Sequence, residues 1–241
     1  MINATLIEGV AGVTALATGS LIYASIAPTS QIFGRTLIAG QDTREIALTF
    51  DDGPNDAATP QLLEVLTRHN VRATFFIIGG FARQRPELVR AVHAAGHLIG
   101  NHTMTHPKLS LTPAAKVRQE LMECSAVLED ITGEGVEYFR PPFGARRPVV
   151  LRIARELGLT PVMWNVTGFD WEPRGVDTLT ATLNAGIAKN RELQRGSSLL
   201  LHDGGHRAMS ANRMDTVRAV EKLLEAHAGT ATRFVTVDAW G

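Results

Sequence analysis

Short apolar runs typical of buried strands alternate with segments of helical periodicity from about residue 45 onward. The first run is followed by Asp51-Asp52-Gly53-Pro54, in which glycine and proline signal a turn. The runs predict strands at Ile46–Phe50, Ala73–Ile78, His97–Gly100, Tyr138–Arg140, Val162–Val166, Ser198–His202 and Phe234–Val237. Helices are predicted around Thr59–His69, from Pro86 to Ala95, from Thr112 as N-cap to near Gly133, over Pro148–Gly158, and around Asp177–Asn190 and Asn212–His227.

This alternation predicts an α/β fold, a distorted (β/α) barrel of about seven parallel strands. A doubly wound sheet fits less well, because no glycine-rich phosphate loop follows the first strand and polar residues recur after several strands. A chain of 241 residues is long enough for one such domain. The domain boundary is predicted near residue 40, with a leader and connector over 1–40 and the folded domain over 41–241.

The amino-terminal segment differs in composition from the rest of the chain, because residues 9–27 contain no charged side chain. Three interpretations remain open: an uncleaved membrane anchor, an export signal that lacks a positive n-region, and an apolar helix packed on the domain. We expect membrane association through 9–27 and a location in the cell envelope, anchored or secreted. The first positive charges, Arg35 and Arg44, follow the apolar run and favour the opposite orientation for an anchor.

Charge and cysteine content exclude some classes of protein. Lysine plus arginine equals aspartate plus glutamate at 24 each, and no basic cluster is present, so a nucleic-acid partner is not expected. The single Cys124 excludes an internal disulfide and is compatible with either a cytoplasmic or a secreted protein. Because Cys124 lies in a helical pattern, we expect it to be a small core residue.

Polar side chains that suit metal binding follow two of the predicted strands. Asp51 and Asp52 follow the first strand, and neighbouring carboxylates resist joint ionisation unless something separates their roles, for which a bound cation is a common solution. His102 and His106 follow the third strand; four residues apart, they would share one helical face. Two histidines and one carboxylate make a three-ligand site with open positions. Taken alone, a solvated Asp-Asp turn and two surface histidines are the simpler interpretations.

Further polar residues follow later strands, and each has a structural interpretation when taken alone. Arg140 begins an Arg-Pro-Pro-Phe-Gly loop, and an arginine can hold a carboxylate in a bidentate pair. Asp170 and Trp171 suit a turn residue and a core aromatic, and His202 ends the apolar Leu199-Leu200-Leu201 run. Their order along the chain makes the combination informative.

In this order, the sequences TFDDGP, NHTMTHP, RPPFG, DW and LLH resemble the five motifs of the polysaccharide deacetylases, the family also described as NodB-homology or carbohydrate esterase family 4. The resemblance spans Ile46 to Asp203, and its first two motifs are highly specific. It implies a distorted (β/α) barrel with fewer than eight repeats and a divalent metal, with Zn²⁺ expected first and Co²⁺, Ni²⁺ or Mn²⁺ as alternatives.

The resemblance also implies a role for individual residues. The implied metal ligands are Asp52, His102 and His106. Asp51 corresponds to the catalytic base, and Arg140 would orient it. His202 corresponds to the general acid, and Asp170 would tune its pKa. Together these roles describe the removal of an acyl group by an acid and a base on a metal site.

The implied substrate-binding residues are Phe143, Trp171 and Leu200. Phe143 occupies a position where the family commonly has tyrosine, and its backbone N–H would contribute to an oxyanion hole. Trp171 and Leu200 correspond to walls of an acetyl pocket, whereas Thr167-Gly168 replaces an acidic residue of many relatives. The remaining histidines are expected to be structural or solvated: His69, His93, His97, His206 and His227.

The sequence thus predicts a metal-dependent hydrolase that removes N-acetyl groups from N-acetylglucosamine-type polysaccharide, either peptidoglycan or chitin-like chains. Alternatives at the same site are an O-acetyl xylan esterase and a sugar deformylase. A catalytically silent carbohydrate-binding protein and a membrane-tethered scaffold are the non-enzyme alternatives. The presence of both Asp51 and His202 argues against simple binding, which requires neither a base nor an acid.

Overall fold

The computed structural model describes residues 23–241. Its strands are β1 (Glu45–Gly53), β2 (Thr74–Ile77), β3 (Leu98–Asn101), β4 (Tyr138–Phe139), β5 (Thr160–Pro161), β6 (Val166–Thr167), β7 (Ser197–His202) and β8 (Arg233–Val235). Its α-helices are α1 (Ala58–Arg68), α2 (Gly79–Gln84), α3 (Pro86–Ala94), α4 (Ala114–Thr132), α5 (Pro148–Glu156), α6 (Val176–Glu192) and α7 (Met214–His227).

The strands form one curled parallel sheet in the order β5-β4-β3-β2-β1-β7-β6, and β8 pairs with the beginning of β1. Strand β1 lies between β2 and β7, and its residues after Glu45 are all buried. Such burial is typical of a central parallel strand covered on both faces. The prediction of a distorted (β/α) barrel with about seven parallel strands is confirmed.

Helix periodicity places one apolar stripe of each long helix against the sheet. Leu62 and Leu66 of α1 and Leu223 of α7 belong to the largest buried cluster, together with Leu48 and Phe50 of β1. A second cluster lies between α4, α5 and β4. These two clusters fix the strands from outside and leave the strand ends free to carry loops.

Several predicted elements differ from the observed ones. Thr112 is not a helix cap, because its hydroxyl donates to the carbonyl of Lys108 and Pro113 takes the N-cap position of α4. Val162–Val166 is not one strand: Val162 forms an isolated bridge with Leu37, and β6 begins only at Val166. Helix α2 was not predicted, since its Gly-Gly start lacks a helical signal.

The part of the leader that the structure describes packs on the domain. Arg146, which is 1% exposed, donates through Nη2 to the carbonyls of Ala27 (2.7 Å) and Ser30 (2.8 Å), and its backbone N–H donates to Ser25. Within residues 23–241, no helix is both long enough and apolar enough to cross a membrane. Most of the predicted apolar helix and of the 9–27 segment lies outside the described residues.

Candidate active site

A pocket of about 360 Å³ lies at the carboxyl ends of the central strands, where α/β folds collect functional side chains. It is lined by Asp51, Asp52, His102, His106, Phe143, Trp164, Trp171, Leu200, His202, His206 and Arg213. Its lining comes from the ends of β1 and β7 and from the loops after β3, β4, β5, β6 and β7.

A bulge at the end of β1 brings both neighbouring carboxylates into the same pocket. Adjacent side chains of a regular strand point to opposite faces. Here the pairing with β2 skips from Asp51 to Gly53, and Asp52 has a φ of 69°. A bulge of this kind redirects a side chain, and consequently Asp51 and Asp52, each 4% exposed, both line the pocket.

His102 and His106 are brought together by a tight loop and not by a helix, so the prediction that they share a helical face is wrong. Thr103 and His106 have φ values of 68° and 58°. The Asn101 side chain accepts from the Thr103 N–H (2.8 Å), and the Thr103 hydroxyl accepts from the His106 N–H (3.0 Å). Both imidazoles thereby face Asp52 from the end of β3.

Asp52, His102 and His106 form a set of ligand atoms that lie within 4.8 Å of one another. Asp52 Oδ1 lies 3.4 Å from His102 Nε2 and 3.1 Å from His106 Nε2, yet it is buried and accepts no hydrogen bond from any residue that the structure describes. His102 Nδ1 lies 2.8 Å from the Arg140 carbonyl; because a carbonyl can only accept, Nδ1 carries the proton and Nε2 is free. This donor set fits a divalent cation.

The protonation of Asp52 and His106 suits metal binding. Burial raises the pKa of Asp52, but the two imidazoles outweigh this effect and lower the pKa well below its usual range. Burial lowers the pKa of His106 and favours the neutral imidazole. A carboxylate and neutral imidazoles are the forms that bind a metal.

Arg140 positions Asp51. It is fully buried, and its Nη1 donates to Asp51 Oδ1 (2.8 Å) and to the Thr49 hydroxyl (2.6 Å), while Phe76 lies 4.2 Å below the guanidinium. The other oxygen, Asp51 Oδ2, lies 3.7 Å from His102 Nε2. One oxygen of Asp51 is therefore held by the arginine, and the second faces His102.

His202 is the register partner of Asp51 on the neighbouring strand β7. Its Nδ1 lies 2.8 Å from Asp170 Oδ1, and its backbone N–H donates to Asp170 Oδ2 (2.7 Å), which also accepts from the Thr216 hydroxyl (2.9 Å). Burial lowers the pKa of His202, but the charge of Asp170 and its hydrogen bond outweigh this and raise the pKa to about 9. The imidazolium is thus the prevailing form at neutral pH.

The predicted substrate-binding residues also line the pocket. Phe143 is half exposed in a turn with a φ of 58°, and its ring packs edge-on against His106 at 4.7 Å. Leu200 is buried, and the Trp171 ring lies 5.3 Å from the His202 ring. Trp164, for which no sequence motif gave a signal, completes an apolar wall.

His206, predicted to be structural or solvated, is exposed and also lies in the pocket lining. Its ring stacks on His106 at 4.7 Å, and its backbone N–H donates to Asp52 Oδ2 (3.1 Å). This approach requires Gly204, since a Cβ there would lie 2.0 Å from the Asp52 carbonyl oxygen. The only sequence signal for His206 is its position four residues after His202, following Gly204-Gly205.

Comparison with known proteins agrees with this geometry. The model of the polysaccharide deacetylase family matches residues 39–162. The chain belongs to the polysaccharide deacetylase family. A chitooligosaccharide deacetylase of Bradyrhizobium sp. (strain ANU 289) is 39% identical over 191 residues, which cover 76% of this chain and 84% of that protein. The family membership that the five motifs predicted is confirmed, and the chain is an enzyme, a polysaccharide deacetylase.

The chain is also similar to proteins that are named peptidoglycan deacetylases. A peptidoglycan-N-acetylglucosamine deacetylase of Bacillus cereus is 34% identical over 195 residues, covering 80% of this chain and 66% of that protein. The crystal structure of the Bc1960 peptidoglycan N-acetylglucosamine deacetylase superposes with a TM-score of 0.75 at 32% identity, covering 84% of this chain and 91% of that one. The family is generally dependent on a divalent metal, in agreement with the ligand set described above.

Proposed function

We propose that this deacetylase hydrolyses the N-acetyl groups of N-acetylglucosamine-type glycans, with Asp51 as the base and His202 as the acid. The observation that carries the proposal is the pairing of Asp51 and His202 on neighbouring strands, beside the ligand set Asp52, His102 and His106. A protein that only binds a glycan needs the walls of the pocket but neither of these two proton-transfer groups.

We infer that Asp52, His102 and His106 hold the metal, and that the ion is Zn²⁺. Nitrogen and carboxylate donors in a three-ligand set are typical of catalytic zinc. When bound, such a cation polarises an acyl oxygen and lowers the pKa of water towards about 7. The backbone N–H of His206 holds Oδ2 of Asp52 and leaves Oδ1 directed at the two imidazoles.

Asp51 is suited to accept a proton from the attacking water. Arg140 occupies Oδ1, so Oδ2 is the oxygen that faces the pocket. A general base of this kind contributes roughly 10²- to 10⁴-fold to a rate. The backbone N–H of Phe143, a residue of the pocket lining, would add an oxyanion donor.

His202 is suited to donate a proton to the leaving nitrogen. An amide nitrogen is a poor leaving group unless it is protonated, and the raised pKa keeps the His202 imidazole charged. Its Nδ1 is bound to Asp170, which leaves Nε2 for the substrate. This need for a proton donor favours an amide over an ester substrate, since an alkoxide leaves more readily than an amide anion.

The names of the relatives support two related glycans as the substrate. One relative is a chitooligosaccharide deacetylase and another is a peptidoglycan-N-acetylglucosamine deacetylase. An acetyl xylan esterase from Clostridium thermocellum, with 26% identity and a TM-score of 0.71, is the reason to keep ester hydrolysis as a second candidate. Chitooligosaccharides, peptidoglycan and acetylated xylan each carry an acetyl group on a sugar, and this group would enter the pocket.

Acetate release from a substrate panel tests the proposal. The purified protein, reconstituted with Zn²⁺, is incubated with chitooligosaccharides, peptidoglycan glycan strands and acetylated xylan. We expect acetate from at least one of the two N-acetylated glycans and one bound zinc per chain by elemental analysis. Acetate from acetylated xylan alone would establish the esterase instead, and no acetate with metal bound would contradict hydrolysis of all three.

A further inference from the structure

Exposed aromatic side chains are concentrated beside the pocket mouth. Trp171 and Phe169 are 45% and 36% exposed, and their rings pack against each other with centroids 5.4 Å apart. Trp171 in turn lies 5.3 Å from His202. Water-exposed aromatic rings that continue from a ligand pocket are typical of a binding surface. Neither the acetyl pocket nor the proton transfers account for Phe169.

The backbone of the β6–α6 loop forces Phe169 outward. Phe169 has a φ of 57°, a left-handed conformation that non-glycine residues adopt infrequently. On one side Gly168 is pressed against α6, where a Cβ would lie 2.1 Å from Leu179. On the other side Asp170 is buried in its contacts with His202 and Thr216. With both neighbours fixed inward, the Phe169 ring is held at the surface in one orientation.

Charged planar groups lie next to these rings. The Arg174 guanidinium stacks 4.8 Å from the Phe169 centroid and pairs with Glu172 through contacts of 2.7 and 2.9 Å. A pyranose ring has an apolar face of C–H groups and an edge of hydroxyl groups. Aromatic rings suit the first, and guanidinium and carboxylate groups suit the second through hydrogen bonds.

We propose that Phe169, Trp171, Glu172 and Arg174 form a subsite for the hexosamine residue adjacent to the one that is deacetylated. The inference rests on the proposed function, because it takes the substrate to be a glycan chain whose acetyl group enters the pocket. The aromatic pair continues directly from His202, so a sugar next to the reacting one reaches it. The subsite makes substrate affinity increase with chain length.

The test compares oligomers of N-acetylglucosamine with one to five sugars as substrates. Phe169→Ala is expected to raise KM for the tetramer and pentamer roughly five- to ten-fold, with kcat nearly unchanged and little effect on the monomer. Arg174→Ala is expected to act in the same direction. Phe169→Tyr keeps the ring and should restore the wild-type KM. Leu193→Ala removes an exposed apolar side chain (53% exposed) after α6 and is the matched control.

A second measurement separates binding from turnover. Calorimetric titration of the tetramer into His106→Ala, which is expected to lack metal and activity, measures glycan affinity alone; adding Phe169→Ala should weaken it by a similar factor. Equal effects of Phe169→Ala on monomer and tetramer, or no effect on either, would overturn the subsite. Absence of acetate release from every glycan by the wild-type protein would instead contradict the proposed function.

Discussion

At the level of single residues, the two neighbouring carboxylates of the pocket have different partners and therefore different tasks. Asp51 is bound by Arg140, whereas Asp52 faces the imidazoles of His102 and His106. Like charges so close together resist ionisation unless each has its own counter-charge. A buried arginine supplies one, and the proposed cation would supply the other.

Asp51→Asn should separate metal binding from catalysis. The variant retains an oxygen for Arg140 and leaves Asp52 and both imidazoles in place, so metal content should equal that of the wild type. Because an amide cannot accept the proton, acetate release should fall by roughly 100-fold or more. Elemental analysis measures the metal content, and an acetate assay measures the activity. Retained activity would mean that another group is the base.

Asp170→Asn should change the pH dependence of the enzyme. Asp170 raises the pKa of His202 to about 9, so the imidazolium is present below that pH and is lost above it. Removal of the carboxylate lowers this pKa, and the alkaline limb of kcat/KM should move to lower pH by about one unit or more. Measurements of kcat/KM from about pH 6 to about pH 10 give the shift. An unmoved alkaline limb would show that His202 is not the acid.

At the level of secondary-structure elements, the end of β1 places Asp52, the loop after β3 places the two imidazoles, and helix α4 supports that loop from behind. Glu120 of α4 is fully buried, and its carboxylate accepts from the Thr105 N–H (2.7 Å) and hydroxyl (2.8 Å). Thr105 lies directly before His106. The loop that carries the two imidazoles is thus tied to α4, although no sequence pattern links them.

Glu120→Gln should weaken metal binding without unfolding the protein. Replacing one acceptor oxygen by an NH₂ group breaks a contact to Thr105 and loosens His106, and loss of such supporting contacts typically costs 10- to 100-fold in metal affinity. Competition with a chelator measures the affinity. Glu123→Gln, an exposed change on the same helix, should leave it unaltered. Equal affinity in both variants would show that Glu120 does not position the ligand loop.

At the level of the whole molecule, the ligand set joins the central strand β1 to the loop after β3, so a bound cation connects parts of the sheet that are distant in sequence. A ligand that binds only the folded state stabilises it by about 2.7 kcal/mol when the free ligand concentration is about a hundred times its Kd. For a domain of this size, that corresponds to a rise in Tm of about 5–10 °C.

Thermal unfolding with and without Zn²⁺ should show this rise in the wild-type protein. His106→Ala should lose most of the shift, because one of the ligands is missing. His93→Ala, a change at a histidine on the outer helix α3, should retain it. A Tm that does not respond to zinc in the wild type would contradict the assignment of Asp52, His102 and His106 as ligands.

Sequence patterns predicted the barrel because its cues are local. Apolar runs of strand length, turn signals after Phe50 and proline at helix starts each depend on a few neighbouring residues. Patterns failed where the chain crosses a gap in the sheet: Val162 pairs with Leu37, and Asn165 bonds to β7 through the Ser198 N–H. An apolar run such as Val162–Val166 is expected both for a continuous strand and for a buried segment that crosses between strands, so composition does not distinguish them.

The order of motifs by itself determined which residues gather at one end of the barrel, because parallel strands all present their carboxyl ends at the same edge. Only the tertiary structure decided how they face one another: the bulge that turns Asp52 beside Asp51, the left-handed residues of the histidine loop, and the approach of His206 to Asp52. The bulge and the approach of His206 depend on contacts between segments far apart in the chain. The histidine loop is held by local hydrogen bonds, but it faces Asp52 only because the folded sheet brings β1 and β3 side by side. Local patterns do not encode such contacts between distant segments.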